Sequence, residues 1–415
     1  MEPFNLNNVN QAASLLSDVA SKTPLILNVQ KSNEFDANIY FKREDLQQVR
    51  SYKIRGAFNK ISSLNETELA KGVVCASAGN HAQGVAYSCF VKKIKGVIFM
   101  PTPTPKQKIE QVKMFGGEWI ETILVGDTFD DASKQAIKYC DDRGMSFIHP
   151  FDDIKVIEGQ ATIALELIEQ TAQPIDYLFL PVGGGGLASG VSSVFKLLSP
   201  NTKIIGVEPT GAPSMSTSIK NEINTELQHI DKFIDGASVQ KVGDINFHFC
   251  KKNLDEMITV DEGKVCQTIL ELYNKDAIVV EPAGALTVSA LDQFKEEIKG
   301  KNVVCLISGS NNDITRTEEI KERALLYSGI KHYFIVRFPQ RAGALKEFIN
   351  DVLGPNDDIT HFEYSKKHNR NTGPAVIGIE LGGEVPIIEL KERMNTLKFK
   401  YEYLNDNPDL FQMLV

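Results

Sequence analysis

Residues Tyr177–Leu198 read YLFLPVGGGGLASGVSSVFKLL and indicate how most of this chain folds. Tyr177–Val182 is apolar almost throughout, which is typical of a parallel strand with helices on both sheet faces. A helix is predicted over Gly186–Ser199, so the glycine run Gly183–Gly186 lies where a strand passes into a helix. Glycines let backbone N–H groups approach an anion closely, and the start of a helix directs positive charge at it. The segment therefore predicts a turn that binds a phosphate group.

The same alternation of apolar strands and amphipathic helices extends from about residue 40 to residue 310. It is the pattern of a mostly parallel α/β sheet with crossover helices. Because ligands of such folds bind beyond the carboxyl ends of the strands, the polar segments after each strand are candidates for a site. Further strands are predicted over Gly72–Ser77, Gly96–Met100, Ile204–Val207 and Val303–Ile307.

The pattern changes near residue 330. A charged helix is predicted over Thr317–Tyr327, and the periodicity beyond it predicts the order β-α-β-β-α-β, the ferredoxin-like arrangement. We therefore expect a core of two α/β lobes over residues 1–316, a linker helix over 317–330 and an α+β domain over 331–415. In the last domain strands are predicted over Tyr333–Phe338, Ile359–Tyr364, Ala375–Leu381 and Phe399–Leu404, and a helix over Ile387–Leu397.

Composition limits the partners of the chain. Its net charge of −9 and lack of a basic block disfavour nucleic acid. No apolar run approaches the ~18 residues of a membrane span. The start, MEPFNLNNVNQAAS, lacks the basic and apolar parts of a leader, so we expect a cytoplasmic protein that binds small molecules. Six cysteines without paired spacing are predicted to be buried free thiols: Cys75, Cys89, Cys140, Cys250, Cys266 and Cys305.

Lys53 is the first residue that suggests chemistry. It lies in Phe41–Ala57, FKREDLQQVRSYKIRGA, and opens a predicted helix after a polar loop. A lysine amine can form a Schiff base with an aldehyde cofactor and later move protons, provided that its pKa is lowered. We expect desolvation and the adjacent cations Arg50 and Arg55 to lower it. Taken alone, Lys53 is better explained as an ordinary surface lysine of a basic helix, because most lysines are solvated.

Polar segments follow two of the other predicted strands. A helix is predicted over Asn80–Lys92. Small residues and amides in Ser77–His81 (SAGNH) expose N–H groups at its start and are predicted to hold a carboxylate, unless they only cap the helix. Ser308–Asn312 (SGSNN) follows the strand predicted over Val303–Ile307, where the hydroxyl of Ser308 could hydrogen-bond a ring nitrogen of a bound cofactor. Glu281–Ala285 (EPAGA) is expected to line the same cavity, although each of the last two segments alone is typical of a turn.

These segments, in this order, closely resemble the serine/threonine dehydratase branch of the fold-type II pyridoxal 5′-phosphate (PLP) enzymes. The resemblance rests on SYKIRGA around Lys53, SAGNHAQG, GGGGL, EPAGA and SGSN. It covers nearly the whole chain, because Arg337–Leu345 (RFPQRAGAL) resembles the start of the ACT-like regulatory domain of biosynthetic threonine dehydratases. It implies a two-lobed fold-type II core with mostly parallel sheets, followed by a ferredoxin-like, ACT-like domain.

The resemblance implies a role for each candidate residue. Lys53 would bind PLP covalently and act as the base, Asn80 would hydrogen-bond the ring hydroxyl, and Ser308 would face the pyridine nitrogen. The cofactor phosphate would be bound by the backbone N–H groups of Gly183, Gly184, Gly185, Gly186 and Leu187. The substrate carboxylate would be gripped by Ser77, Ala78, Gly79, Asn80 and His81.

The implied reaction is the loss of water and then ammonia from threonine, giving 2-oxobutanoate, the first step towards isoleucine. A neutral hydroxyl at Ser308 does not force a proton onto the ring nitrogen, which favours loss of the β-substituent over transamination. Some related enzymes hold a divalent metal at a Glu-Pro segment. In Glu208–Ser214 (EPTGAPS) a serine stands where a second carboxylate is wanted, so we predict no required divalent metal.

The tail lacks an obvious nucleophile, metal cluster or phosphate loop, so a binding role is expected. The resemblance implies that Pro339–Leu345 meets an amino acid, with isoleucine as inhibitor and valine opposing it. The alternative is a unit that only builds an oligomer interface. The family implies a homotetramer, with a dimer as the alternative.

Other functions stay open on the sequence. A catabolic or broader serine/threonine dehydratase, or a racemase, uses the same scaffold, and one methyl group separates threonine from serine by only ~1–3 kcal/mol in a pocket. Lys53 disfavours a non-catalytic amino-acid sensor. A nicotinamide-dependent dehydrogenase is disfavoured because the glycine run matches neither G-x-x-x-x-G-K-[ST] nor a well-placed G-x-G-x-x-G.

Overall fold

The computed structural model of the chain describes residues 4–364, 372–382, 387–407 and 410–411. The chain folds into two compact units, Met1–Thr315 and Arg316–Val415. The helices of the first unit are α1 (Leu6–Leu16), α2 (Val29–Phe35), α3 (Lys53–Ser62), α4 (Glu66–Lys71), α5 (Asn80–Lys92), α6 (Lys106–Gly116), α7 (Phe129–Arg143), α8 (Ile154–Gln170), α9 (Gly186–Leu198), α10 (Ser214–Lys220), α11 (Asp244–Asn253), α12 (Glu262–Asp276) and α13 (Pro282–Ser289). Its strands are β1 (Leu25–Leu27), β2 (Asn38–Arg43), β3 (Val73–Ala76), β4 (Gly96–Met100), β5 (Ile120–Leu124), β6 (Ser146–Phe147), β7 (Tyr177–Pro181), β8 (Lys203–Pro209), β9 (Glu256–Val260) and β10 (Asn302–Ile307).

Two sheets divide the first unit into two lobes. The larger sheet has the order β1-β2-β10-β7-β8-β9, and only its β1–β2 pair is antiparallel. The smaller sheet has the order β5-β4-β3-β6 and is parallel throughout. The predicted two-lobed core with mostly parallel sheets is therefore confirmed.

The continuous apolarity of β7 follows from cover on both of its faces. Leu178 and Leu180 belong to a buried cluster that includes Leu187 and Val191 of α9. On the opposite face, the ring of Phe179 lies 5.2 Å from that of Phe294, centroid to centroid. A strand packed on both faces has no place for alternating polar residues.

Predicted element bounds agree closely with the structure. The helix predicted over Asn80–Lys92 is α5, with the same first and last residues. The strand predicted over Gly72–Ser77 is shorter, because Gly72 at φ +89° ends α4 and pairing begins at the next residue. Left-handed φ values of this kind favour glycine at a helix end.

The second unit has the ferredoxin-like order that the sequence predicts. Its helices are α14 (Thr317–Tyr327), α15 (Ala344–Asp351) and α16 (Ile387–Thr396), and its strands are β11 (Lys331–Pro339), β12 (Asp358–Tyr364), β13 (Thr372–Glu380) and β14 (Lys400–Tyr403). The sheet is antiparallel in the order β12-β13-β11-β14. The predicted linker helix, α14, lies in this unit, where its Glu322 accepts a hydrogen bond of 2.7 Å from the Tyr333 hydroxyl.

All six cysteines are buried free thiols, as the sequence predicts. Burial raises the pKa of Cys89 and of Cys250 to about 12, so neither thiol ionises readily. Across the described ranges of the chain, no helix combines the length and apolarity needed to cross a bilayer.

Candidate active site

Lys53 is the first residue of α3, and its side chain is partly buried. The Nζ atom donates a hydrogen bond of 2.8 Å to the carbonyl oxygen of Pro150 and lies 5.4 Å from the centre of the Tyr52 ring. Burial lowers the pKa of Lys53 to about 8, although the negative charge of Glu281 acts in the opposite direction. A substantial fraction of this amine is therefore neutral and nucleophilic at mildly alkaline pH.

The lowered pKa of Lys53 has only one of its two predicted causes. Burial acts as expected, but Arg50 and Arg55 do not contribute. The side chain of Arg55 points away into a buried ion pair, with Nη2 2.8 Å from Glu44 Oε1 and Nη1 2.6 Å from Glu166 Oε1. Arg50 is exposed, so water screens its charge. The prediction that these cations lower the pKa was wrong because adjacency in sequence did not reveal the partners of Arg55.

The glycine turn presents a row of unpaired N–H groups. Within the described part of the chain, the N–H groups of Gly183–Leu187 have no backbone acceptor, and α9 begins at Gly186. Gly185 has φ +90°, a value that side chains disfavour. Together with the positive end of α9, this turn is a strong site for an anion such as a phosphate.

Packing also requires the glycines of this turn. A Cβ on Gly184 would overlap the ring of Phe151, and one on Gly186 would lie 2.9 Å from the Phe151 carbonyl oxygen. Asn246 Nδ2 donates to the carbonyl oxygens of Phe151 and Gly184, at 3.1 and 2.8 Å. Sequence reasoning missed Pro150, Phe151 and Asn246, although polar and aromatic residues after the short strand β6 were a usable signal. Since Pro150 contacts Lys53 and Phe151 packs on the turn, this segment brings the two together.

The segment Ser77–Asn80 lies beside open space. Its residues are partly exposed between β3 and α5, and a Cβ added to Gly79 would meet no atom within 4 Å. Ser77 Oγ accepts a hydrogen bond of 3.2 Å from the Gly79 N–H. His81 differs from its neighbours, because its ring is buried and its Nε2 lies 2.8 Å from the Ile148 carbonyl oxygen. Burial lowers the pKa of His81 to about 3, so a charged imidazole does not face the loop.

Asn80 joins Ser77–Asn80 to two other segments. Its Nδ2 donates to Glu281 Oε1 at 2.7 Å, and its Oδ1 accepts from Asn311 Nδ2 at 2.7 Å. Glu281 is 7% exposed, and burial, reinforced by the charge of Asp235, raises its pKa to about 7. The EPAGA and SGSN segments are thus brought to the same place as Asn80.

Ser308 lies directly after β10 and is buried. Its carbonyl oxygen accepts a hydrogen bond of 3.2 Å from the N–H of Tyr52, the residue before Lys53. The next residue, Gly309, forms an isolated bridge with Ser51. The carboxyl end of the central strand β10 is therefore attached to the start of α3, and Ser308 shares this region with Lys53.

Comparison with known proteins agrees with this geometry. Residues 16–309 match the model of the pyridoxal-phosphate-dependent enzymes, and residues 322–414 match the C-terminal regulatory domain of threonine dehydratase. The chain belongs to the threonine dehydratase family of PLP-dependent enzymes. The predicted cofactor, PLP, is thereby confirmed.

Relatives within the threonine dehydratase family align along the whole chain. The biosynthetic L-threonine dehydratase of Halalkalibacterium halodurans is 55% identical over 415 residues and is covered completely, as is this chain. That of Staphylococcus aureus is 53% identical over 412 residues, 98% of this chain and 97% of that protein. The solved structure of the processed form of threonine deaminase isoform 2 from Solanum lycopersicum has a TM-score of 0.73 at 39% identity, and the match covers 78% of this chain and 96% of that one.

The residues present fit the cofactor of the threonine dehydratase family. PLP has an aldehyde, which needs a neutral amine, and a phosphate, which needs concentrated N–H donors. The lowered pKa of Lys53 meets the first need, and the unpaired N–H groups of Gly183–Leu187 meet the second. Bound there, the cofactor supplies an electron-withdrawing ring for carbanion chemistry at Cα.

The Glu-Pro segment of this family member is occupied by its own hydrogen bonds. The Glu208 carboxylate accepts from the N–H groups of Met215 and Ser216, at 2.7 and 2.9 Å. The Ser214 hydroxyl donates to the Val239 carbonyl oxygen. Among the residues that the structure describes, no group of three or more His, Cys, Asp or Glu side chains is placed to hold a metal. That the reaction needs no divalent metal stays a prediction.

Proposed function

We propose that this enzyme removes water and then ammonia from L-threonine and releases 2-oxobutanoate, the first step towards isoleucine. The observation that carries the proposal is the amine of Lys53, which has a pKa of about 8. This amine contacts Pro150, and the next residue, Phe151, packs against the glycine turn. The two relatives at 55% and 53% identity, both named biosynthetic L-threonine dehydratases, support the choice of substrate.

Lys53 has two tasks in this proposal. It binds the cofactor covalently until the substrate amine displaces it, and its freed amine then takes the proton from Cα. The β-hydroxyl departs as water with one proton, which balances the proton taken from Cα, while a double bond forms between Cα and Cβ. The amine of Lys53 then displaces the product from the cofactor as an enamine. The released enamine becomes an imine, and water converts the imine to 2-oxobutanoate and ammonia. Both tasks need the neutral amine, which a pKa of about 8 makes available.

The remaining site residues bind and orient. Gly183, Gly184, Gly185, Gly186 and Leu187 hold the phosphate with their N–H groups, because those groups have no backbone acceptor in the described chain. Ser77, Ala78, Gly79, Asn80 and His81 hold the substrate carboxylate. For His81 this role belongs to the backbone, because its ring is directed at Ile148. Asn80 also donates to the ring hydroxyl of the cofactor.

Ser308 sets the direction of the chemistry in this proposal. Its neutral hydroxyl faces the pyridine nitrogen and does not hold a proton there as a carboxylate partner would. Weaker electron withdrawal shortens the life of the carbanion and favours prompt loss of the hydroxyl group. Elimination is then expected to outrun transamination.

The test is an assay of the purified full chain with L-threonine, L-serine and D-serine. We expect equal amounts of oxoacid and ammonia from L-threonine, a lower kcat/KM for L-serine and no turnover of D-serine. The preference for threonine follows from space for one methyl group, worth ~1–3 kcal/mol. Conversion of L-serine to its mirror image without oxoacid would identify a racemase and overturn the proposal.

We propose further that the second unit binds isoleucine as an inhibitor, with valine opposing it. A cavity of about 270 Å³ lies at the end of β11 and the start of α15. Its walls include the aromatic rings of Phe338, Phe362 and Tyr364, and its rim includes Gln340 and Arg341. Apolar walls with a guanidinium and an amide suit an amino acid that has a branched apolar side chain.

The assembly and division of the chain complete the proposal. We propose a cytoplasmic homotetramer, with a dimer as the alternative, in which residues 1–316 carry the reaction, 317–330 form a linker helix and 331–415 carry the regulatory site. Sedimentation of the purified chain with and without isoleucine tests the assembly. A monomer that remained fully regulated would contradict it.

A further inference from the structure

Asn80, Glu281 and Asn311 form a connected set of hydrogen bonds that we call the Asn80 triad. Asn80 begins α5, Glu281 precedes α13 and Asn311 follows β10, so three separate elements meet at one amide. Asn80 Nδ2 donates to Glu281 Oε1 at 2.7 Å, and Asn311 Nδ2 donates to Asn80 Oδ1 at 2.7 Å. The reaction described above assigns no role to Glu281 or Asn311.

The orientation of every amide in the triad follows from one backbone carbonyl. Asn311 Nδ2 also donates to the Val49 carbonyl oxygen at 2.9 Å, and a carbonyl can only accept. The NH2 end of Asn311 is therefore the end that faces Asn80, so the facing atom of Asn80 must be its Oδ1. The Nδ2 of Asn80 is then directed at Glu281, whose carboxylate is an acceptor.

Two features of the structure accompany this arrangement: an unpaired oxygen on Asn311 and a glycine beside Glu281. The Oδ1 atom of Asn311 is buried without a hydrogen-bond partner among the described residues, although its amide donates twice. A Cβ on Gly309 would lie 2.5 Å from Glu281 Oε1 and 3.2 Å from the Arg50 carbonyl oxygen. Glycine at that position therefore provides the space in which the carboxylate reaches Asn80.

We propose that Glu281 and Asn311 are positioning residues for Asn80. They hold its amide in the orientation in which the NH2 group, and not the oxygen, faces the ring oxygen of the cofactor. Asn311 occupies the Asn80 oxygen, Glu281 takes one of its two amide hydrogens, and the second hydrogen remains for the ring oxygen. This inference rests on the role proposed above for Asn80. Without its neighbours, the amide rotates and presents Oδ1 to the ring oxygen. The hydrogen bond from Asn80 is then lost, and two acceptors face each other wherever the ring hydroxyl is ionised.

The test is a double-mutant cycle with cofactor affinity as its readout. Cofactor is removed from the full chain, and PLP is titrated back while absorbance and protein fluorescence are recorded. We expect Glu281→Ala to raise the dissociation constant of PLP about 10-fold to 100-fold, the effect of losing a charge-assisted hydrogen bond. Glu281→Gln retains a carbonyl acceptor and is expected to recover most of that loss.

The background variant Asn80→Ala decides between an indirect and a direct effect. The titrations are made at a pH well above 8, where the Lys53 amine is neutral with or without the Glu281 charge. If Glu281 acts through Asn80, Glu281→Ala then changes the dissociation constant of the Asn80→Ala protein by less than about 2-fold. An equal effect in both backgrounds shows that the carboxylate acts on the cofactor or Lys53 directly and overturns the inference. Equal losses in Glu281→Ala and Glu281→Gln also overturn it, because charge alone would then explain them.

A matched control comes from a similar pair elsewhere in the chain. The buried Glu158 accepts a hydrogen bond of 2.6 Å from Asn8 Nδ2, so Glu158→Ala removes an Asn–Glu contact without touching the triad. Its cofactor affinity should equal that of the unmodified chain, and a loss equal to that of Glu281→Ala overturns the inference.

If Glu281→Ala does not fold, Asn311→Ala in the two backgrounds gives the same comparison. Threonine is absent from these titrations, so failure to form 2-oxobutanoate would refute the proposed reaction and leave this result intact.

Discussion

The amine of Lys53 donates a hydrogen bond of 2.8 Å to the carbonyl oxygen of Pro150, which lies 97 positions further along the chain. The next residue, Phe151, has its ring against Gly184 and its carbonyl oxygen against Gly186. A single turn of backbone therefore fixes the separation between the reactive amine and the proposed phosphate site. A cofactor held at both ends needs this separation to be constant, because catalytic positioning tolerates displacements of only about 1 Å.

Replacing Lys53 tests the covalent role of its amine. Lys53→Ala is expected to lose the absorbance of the lysine-bound cofactor and nearly all formation of 2-oxobutanoate, a fall of at least about 1000-fold that is typical when a nucleophile that is also the base is removed. Lys60→Ala, at the other end of α3, removes a partly buried amine paired with Asp153 and is the control. Full activity in Lys53→Ala, or borohydride trapping of the cofactor on another lysine, would contradict the assignment.

Replacing Gly184 tests the shape of the glycine turn. Gly184→Ala places a methyl group into the ring of Phe151, so we expect weaker PLP binding and a loss of about 1–3 kcal/mol in the free energy of unfolding. Gly300→Ala is the matched control, since its φ is +68° and a Cβ there meets no atom within 4 Å. It should cost about 1–2 kcal/mol from backbone strain and leave PLP affinity unchanged. Chemical unfolding and PLP titration separate the two effects, and unchanged PLP affinity in Gly184→Ala would argue against a phosphate at this turn.

The pKa of Lys53 predicts how cofactor capture depends on pH. Only the neutral amine attacks the aldehyde, so the rate at which the cofactor-free protein takes up PLP should rise with pH through a midpoint of about 8. An ordinary lysine would give a midpoint near its usual value of 10.5. The rate is measured by stopped-flow absorbance between pH 6 and 11, with the unfolded chain as the reference. A midpoint near 10.5 would show that burial does not control this amine.

The sequence predicts which residues carry the chemistry of this site better than it predicts the contacts that hold them in place. Lys53, the glycine turn and the SAGN and SGSN segments follow buried strands, and parallel topology brings such segments to the same edge. The helix α5 and the strand β4 also have their predicted bounds, because the apolar runs in these segments allow few other assignments of secondary structure. The contacts of Arg55 could not be predicted in this way. Its partners Glu44 and Glu166 lie 11 and 111 positions away, and local patterns carry no information about such pairs.

The buried pair of Arg55 and Glu44 is expected to contribute strongly to stability. Both side chains are almost fully buried, and Nε and Nη2 of Arg55 donate to the two carboxylate oxygens of Glu44 at 2.8 Å each. Glu44→Gln leaves a buried guanidinium without part of its countercharge and should lower the free energy of unfolding by about 3–5 kcal/mol. Glu169→Gln breaks the exposed pair with Lys22 and should cost less than about 1 kcal/mol. The free energies of unfolding are measured in urea. Equal losses in the two variants would show that the buried pair stabilises the fold no more than the exposed pair does.

Arg341 tests whether the cavity of the second unit binds the effector. Its guanidinium is paired with Glu347 at the rim of the cavity, so the carboxylate of isoleucine would compete with Glu347 for the same cation. Arg341→Ala should weaken isoleucine binding about 10-fold or more, the worth of a charge-assisted contact, whereas Glu347→Gln should strengthen it. Arg337→Ala is the control, because Arg337 is exposed and pairs with Glu402 outside the cavity lining.

The same variants decide whether binding in the cavity reaches the reaction. Coupling requires isoleucine to have different affinities for the active and inactive states, so its addition should shift the threonine saturation curve of the full chain. That shift should need about 10-fold more isoleucine in Arg341→Ala and should vanish when residues 331–415 are removed. If isoleucine binds the cavity by calorimetry but leaves the saturation curve unmoved, the second unit is a binding or assembly module without control over catalysis. Because linkage is reciprocal, threonine must then also leave isoleucine affinity unchanged, which the same calorimeter can measure.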